Sequence, residues 1–116
     1  MEKEKKLKII DEGKCITLII PEDFSFFTVQ ALKQKAMRYF QNGKRLFIFD
    51  LTNTNWIDSY GMAFIAWIVK NSILTNAIVS IISPKKNIFD LFKQTRIAEI
   101  VTFWNSIEQA KSQINL

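Results

Sequence analysis

A serine hydroxyl beside a carboxylate is the group best placed to take part in chemistry in this 116-residue chain. Asp58 and Ser59 follow a polar link and stand where an apolar run of helical length, residues 62–69, begins. N–H groups at a helix start are unpaired and the helix dipole favours negative charge, so a phosphoryl group on Ser59 would find donors there. Asp58 would repel that group. We therefore expect phosphorylation to change what docks at the site rather than to rigidify the helix.

The lack of histidine excludes most familiar catalysts. With no His and one Cys, the chain can form neither a Ser-His nor a Cys-His couple, nor a common zinc ligand set. We therefore expect no enzyme activity, no metal and no cofactor. Cys15 lies among apolar residues and is predicted to pack as a small buried hydrophobe, and a single cysteine suits a reducing cytoplasm.

The size and composition of the chain indicate a globular domain rather than a secreted or membrane-spanning protein. At 48% hydrophobic residues it can bury a core, and its first six residues form a charge cluster unlike a signal peptide. Its longest apolar run, residues 62–69, is far shorter than the roughly 20 residues that a bilayer span needs. We therefore expect one cytoplasmic domain over residues 1–116, without membrane insertion.

The net charge of +5 is compatible with a nucleic acid, an anionic membrane surface or an acidic protein as partner. The basic residues that could carry such an interaction are spread over three places: Lys33, Lys35 and Arg38 on a predicted helix, Lys44 and Arg45 in a turn, and Lys85 and Lys86 near a helix start. Because they form no compact basic motif, we interpret the charge as solvated surface and expect no direct binding of nucleic acid.

Strands and helices alternate around the Asp58-Ser59 pair. The predicted strands are residues 6–10, 14–20, 45–51, 77–82 and 100–103. The predicted helices are residues 25–41, 58 or 59 to about 74, 86–94, and a terminal helix from about 106. Asp11-Glu12-Gly13 is read as a hairpin turn. The helix that begins at Asp58 or Ser59 is apolar nearly all round, so we expect it to be among the most buried.

This alternation predicts an α/β fold. Short links between strands and helices imply right-handed crossovers and a mostly parallel sheet of about four to five strands, with the N-terminal hairpin at its edge. Residues 45–51 have apolar side chains on both faces, which is typical of a central strand covered on both sides.

Residues 46–61 resemble the central motif of the STAS domain, best known from bacterial anti-sigma factor antagonists. The shared features are a strand ending in Asp-Leu-Thr, a short polar link, a hydrophobe, and Asp-Ser-x-Gly before an apolar helix. The likeness continues through residues 78–84, 87–94 and 100–110 in the expected order, so it covers most of the chain. It implies a STAS-like fold and a non-catalytic signalling role in transcription regulation.

The resemblance also implies a switch. In anti-sigma factor antagonists, the serine after this aspartate is phosphorylated by the cognate anti-sigma factor, which is a serine kinase, and Ser59 occupies that position. The unphosphorylated form would bind the anti-sigma factor and free the sigma factor, and phosphorylation would end this binding. A serine phosphatase is a further expected partner, and the chain would be a monomer or weak dimer. The partner-binding residues are expected to be Asp23, Trp56, Asp58, Ser59, Tyr60, Gly61 and Met62.

Each of these residues has an expected role. Asp58 would orient and charge the site, and Gly61 would permit close approach. Trp56, in a polar link, is expected to anchor an interface. The other aromatic residues are expected to lie mostly in the core: Phe24, Phe26, Phe27, Trp67, Phe89, Phe92 and Trp104.

Two alternatives stay open. Tyr60 stands where the STAS family usually has a small residue, and STAS domains also occur in stressosome scaffolds, lipid-transport assemblies and transporter tails, so a non-catalytic interaction module is the first alternative. Asp50 with Glu22, Asp23 and Lys85 superficially resembles the acceptor site of response-regulator receivers. A receiver has an additional strand and helix between the acidic pair and the acceptor, so a buried or capping role for Asp50 is expected instead.

Overall fold

The computed structural model describes residues 7–114 and contains a mostly parallel sheet with helices inserted between its strands. The strands are β1 (Lys8–Glu12), β2 (Cys15–Ile19), β3 (Asp23–Phe24), β4 (Leu46–Asp50), β5 (Trp56–Ile57), β6 (Ile78–Ile82) and β7 (Thr102–Trp104). The helices are α1 (Phe26–Gln41), α2 (Ser59–Thr75), α3 (Lys86–Lys93), α4 (Ile97–Ile100) and α5 (Ile107–Lys111). None of the helices between residues 7 and 114 has the length and apolar character needed to cross a bilayer.

The main sheet has five strands in the order β1-β2-β4-β6-β7. β1 pairs antiparallel with β2, and the remaining neighbours pair in parallel. This confirms the predicted α/β fold, with the hairpin at the edge and β4, buried except at Asp50, in the centre. In β4, residues 46–49 alternate between the two faces of the sheet and all have 0% exposure, because helices cover both sides.

Two core clusters lie against the sheet. The larger cluster includes Phe24, Phe49, Phe64 and Phe92. The smaller cluster includes Cys15 and lies on the side of the sheet that helix α5 covers. Cys15 is fully buried, as predicted, and burial raises the pKa of its thiol.

Helix α2 is among the most buried of the described helices, as expected, although it buries only one face. The buried residues of α2 are Gly61, Phe64, Ile65, Ile68, Val69 and Ser72. Tyr60, Ile73 and Leu74 are exposed although they are large and apolar or aromatic. Helix α2 packs against the sheet and against α1, and the apolar residues beyond these contacts remain in solvent.

Local boundaries also differ from the predictions. The hairpin turn lies at Gly13, where φ is +75°, since Asp11 and Glu12 still pair with β2. The predicted start of that first strand, Lys6, lies outside the described residues. The last strand begins at Thr102 rather than at residue 100, because Ile97–Ile100 forms one turn of helix.

Lys44 is not part of a solvated turn. Its side chain is 4% exposed, and its ammonium group donates to the Asp11 carboxylate and to the Gly13 carbonyl. This hydrogen bond lowers the pKa of Asp11. The buried cation therefore fastens the hairpin to the start of β4 and cannot take part in binding an external anion.

A second, two-stranded sheet was not predicted. β3 and β5 pair in parallel, with Asp23 opposite Trp56 and Phe24 opposite Ile57. Strands of two residues leave no alternating pattern in a sequence. This small sheet matters for the site because it places the loop before α1 beside the link before α2.

Candidate functional site

Asp58 caps helix α2 and ties it to helix α1. Its Oδ1 accepts a hydrogen bond from the Gly61 backbone N–H at 2.9 Å, and its Oδ2 accepts one from the Phe26 backbone N–H at 3.3 Å. Its backbone carbonyl accepts the first helical bond from the Met62 N–H at 3.0 Å. One carboxylate therefore satisfies an N–H group at the start of each of two helices.

Ser59 is the first residue of α2 and is exposed. Because Asp58 provides the cap, the Ser59 hydroxyl is not used to close the helix end. It has no hydrogen-bond partner among the residues that the structure describes. A second protein can therefore reach it without first breaking an internal contact.

Gly61 lies inside the domain. A Cβ atom at this position would collide with the Phe24 carbonyl and would lie 2.7 Å from Cγ1 of Ile57. The same Phe24 carbonyl accepts a hydrogen bond from the Asp58 N–H at 3.2 Å. The close approach that glycine permits is thus between α2 and β3 of this chain, and it sets the position of Ser59 relative to the small sheet.

Trp56 and Tyr60 lie close to the serine in sequence, and further exposed aromatic side chains pack beside Tyr60. Trp56 is 53% exposed and Tyr60 is 55% exposed, and the Phe26 ring meets the Tyr60 ring edge to face with centroids 5.1 Å apart. Phe27, at 79% exposure, lies next to Phe26 with centroids 5.5 Å apart. Such a concentration of exposed aromatic residues is typical of a protein interface.

Two of the aromatic residues that were expected to lie mostly in the core, Phe26 and Phe27, are exposed. The helical spacing of Val29, Leu32 and Ala36 marks the buried stripe of α1, and Phe27 falls outside that stripe. This spacing could have identified Phe27 as a surface residue. Phe26 is the first residue of α1, and its exposed ring packs against Tyr60.

The other residues named from the sequence divide between surface and interior. Asp23 is exposed beside Trp56, and its carbonyl accepts a hydrogen bond from the Thr28 hydroxyl at 2.9 Å. Met62 is half-buried and packs against the larger core cluster. The structure thus brings together Asp23, Trp56, Asp58, Ser59 and Tyr60, which we call the Ser59 surface.

The loop that leads to the Ser59 surface is held at several points. The buried Thr54 hydroxyl donates to the Pro21 carbonyl at 2.9 Å. Lys85 donates to the Thr52 carbonyl at 2.9 Å, and Asn87 donates to the Asn55 carbonyl at 3.2 Å. These contacts hold the link between β4 and β5 against the segment that follows β2 and against the start of α3.

Asp50 has a local partner. Its carboxylate accepts hydrogen bonds from the Thr52 N–H at 3.0 Å and from the Thr52 hydroxyl at 2.6 Å. This geometry is that of a side chain that turns the backbone after a strand. Among residues 7–114 there is no group of three His, Cys, Asp or Glu side chains that could hold a metal ion.

The model of the STAS domain family matches residues 6–110, nearly the whole chain. The chain belongs to the STAS domain family. The motif of residues 46–61 therefore identified the family correctly. A comparison with curated proteins by sequence finds no match.

Solved structures show the same STAS fold. SpoIIAA of Bacillus, an anti-sigma factor antagonist, superposes in its unphosphorylated form with a TM-score of 0.77 and 9% identity, over 93% of this chain and 96% of SpoIIAA. The phosphorylated form of SpoIIAA superposes with a TM-score of 0.79 and 10% identity, over 95% of this chain and 100% of SpoIIAA. A sulfate transporter family protein from Wolinella succinogenes superposes with a TM-score of 0.74 and 16% identity, over 91% of this chain and 88% of that protein. Because these sequence identities are low, the similarity shows a shared fold and nothing beyond it.

Proposed function

We propose that this STAS domain is an anti-sigma factor antagonist that binds an anti-sigma factor of the serine kinase type and thereby frees a sigma factor. The observation that carries the proposal is the Ser59 hydroxyl, which is exposed and unpartnered among the described residues, at the first position of α2. Trp56 and Tyr60 beside it supply apolar area for an interface. Catalysis would belong to the partner, and a serine phosphatase would restore the unmodified form in the cytoplasm.

Phosphorylation of Ser59 would act through charge at the surface. The Asp58 carboxylate already occupies the Gly61 and Phe26 N–H groups, so a phosphoryl group on Ser59 would have to compete with it for those donors. It would instead add about 1.5 to 2 negative charges beside Asp58 and near Asp23. A partner that docks on the Ser59 surface would meet a desolvation and repulsion cost, with little internal movement of the domain.

Intact-mass measurement tests the acceptor. Each serine-kinase anti-sigma factor encoded by the same organism is incubated with the purified protein and ATP, and one of them is expected to add a single phosphoryl group. Ser59→Ala should remain unmodified. Ser106→Ala, which alters the cap of α5, is the matched control and should be modified like the wild type. Modification that persists in Ser59→Ala contradicts the proposal.

Binding tests the switch. The unmodified protein should co-elute with that kinase in size-exclusion chromatography, and the phosphorylated protein should not. Trp56→Ala and Tyr60→Ala are expected to weaken the complex by about 1 to 2 kcal/mol or more if these rings anchor it. Equal binding of the two forms would contradict the switch.

A non-catalytic interaction module of a larger assembly, such as a stressosome or a lipid-transport complex, is the second candidate. The exposed Tyr60 ring beside Ser59 and the likeness in fold to the Wolinella sulfate transporter family protein favour it. Copurification with transporter subunits or a large scaffold, without modification of Ser59, would support this function over the first.

A further inference from the structure

A cleft of about 330 Å³ opens between helices α1 and α2, beside Tyr60. It is lined by Val29, Lys33, Tyr60, Ala63, Phe64 and Trp67. Its volume lies at the lower end of the range of about 300–1,000 Å³ that is typical of small-molecule sites. Of its lining residues, the function proposed above uses only Tyr60.

The cleft results from the sequence of two helix faces. Tyr60, Ala63 and Trp67 follow one another at helical spacing along α2, and the small Ala63 side chain leaves space between the two rings. Val29 and Phe64 form a buried floor. The Phe64 ring packs against Phe24 and Trp67, with centroids 6.3 and 6.1 Å apart, so the floor is fixed by the core.

The polar groups of the cleft are at its edge. Lys33 is exposed and has no acidic partner among the residues that the structure describes, so its charge is available to a ligand. The Tyr60 ring is half exposed and carries a hydroxyl. An apolar floor with a cation and a hydroxyl at the rim is complementary to a molecule with an apolar body and a negative end.

We propose that this cleft binds an anionic amphiphile, a single apolar chain or ring that ends in a carboxylate or phosphate. The apolar part would lie over Phe64 and Ala63, and the anionic end would pair with Lys33. A cleft of about 330 Å³ has room for one chain of medium length, so the ligand class that we propose is a free, single-chain amphiphile. Because Tyr60 follows Ser59, a bound ligand would also alter the edge of the Ser59 surface.

Titration with decanoate tests the proposal. Isothermal titration calorimetry of the full chain should show saturable binding of sodium decanoate, and decanol, which has the same chain without the charge, should bind more weakly. In a proton–nitrogen NMR spectrum, the indole signal of Trp67 should shift on titration and that of Trp104 should not.

Matched variants locate the site. Ala63→Leu would fill the cleft and should weaken decanoate binding roughly tenfold or more, since misfits of this size change binding in apolar pockets by about 10- to 200-fold. Ala66→Leu, at an exposed position of the same helix outside the cleft, should bind normally. Lys33→Gln should weaken decanoate about two- to fivefold and leave decanol unchanged, while Lys35→Gln should change neither.

The outcomes separate the possible occupants. No binding of decanoate, equal binding of decanoate and decanol, or binding unaffected by both Ala63→Leu and Lys33→Gln would each overturn the proposal. Binding to phosphatidylglycerol vesicles without binding to free decanoate would overturn it as well, because it would indicate a membrane surface. None of these results depends on whether Ser59 is phosphorylated, so this proposal and the proposed function can fail separately.

Discussion

The starts of helices α2 and α5 look alike in the sequence and differ in the structure. Each begins with a polar pair, Asp58-Ser59 at α2 and Asn105-Ser106 at α5. At α5 the serine is the cap, since its hydroxyl accepts a hydrogen bond from the Gln109 N–H at 3.2 Å. At α2 the aspartate is the cap, and the serine stands one position inside the helix.

This one-position difference decides what each hydroxyl can do. The Ser106 hydroxyl is held in a capping box, in which the Gln109 side chain accepts a hydrogen bond from the Ser106 N–H at 3.2 Å. The Ser59 hydroxyl has no structural task among the described contacts. A serine at a helix start is therefore open to modification when the residue before it satisfies the helix end.

The third helical position differs as well, and Gly61→Ala should have the largest effect. Gln109 completes the cap of α5, whereas at Gly61 the space for a side chain is filled by the Phe24 carbonyl. We expect Gly61→Ala to lower the free energy of unfolding by about 3 kcal/mol, measured by urea denaturation.

Gly43→Ala is the control for Gly61→Ala. Gly43 has a φ of +74° and open space where a Cβ would lie, so only backbone strain of about 1 to 2 kcal/mol is expected. Equal losses in the two variants would show that the contact with Phe24 does not restrict the start of α2.

Asp58→Ala should have the next largest effect. It removes the acceptor for the Gly61 and Phe26 N–H groups, and we expect a loss of about 1 to 2 kcal/mol in unfolding free energy. Hydrogen exchange of both amides should accelerate. Asp58→Asn keeps one carbonyl oxygen and should protect the Gly61 amide but not the Phe26 amide. Faster exchange at Gly61 alone in Asp58→Ala would show that the carboxylate does not join the two helices.

The smallest effects are expected at the two serines, and they directly test the difference between the starts of α2 and α5. Ser106→Ala should cost about 1 kcal/mol because it removes a cap, whereas Ser59→Ala should change the unfolding free energy by less than about 0.5 kcal/mol. Thermal and urea unfolding of the two variants under identical conditions measure both. A loss in Ser59→Ala as large as that in Ser106→Ala would mean that the Ser59 hydroxyl is needed for the fold.

Much of this fold follows from patterns in the sequence, with clear exceptions. The hairpin, the buried central strand and the long helices have enough residues to show a period. The strands Asp23–Phe24 and Trp56–Ile57 are too short for one, and the single turn Ile97–Ile100 was expected to include the start of a strand. The burial of Lys44 depends on Asp11, which is distant in sequence, so local patterns could not reveal it.

The site was predicted as far as its motif extends. The Asp58-Ser59 pair at a helix start and the exposure of Trp56 follow from local sequence. The second role of Asp58, as acceptor for the Phe26 N–H, requires two segments 32 residues apart to meet. The exposure of Phe26 and the cleft between α1 and α2 depend on the same packing of separate segments, which the sequence alone does not specify.

The contacts that hold the link between β4 and β5 have a consequence for recognition. Thr54, Lys85 and Asn87 hold this link, and Trp56 follows it directly. Ordering a flexible loop on association opposes binding. A tryptophan whose backbone is immobilised before encounter loses less conformational entropy, so a partner would meet a preorganised shape and dock almost as a rigid body.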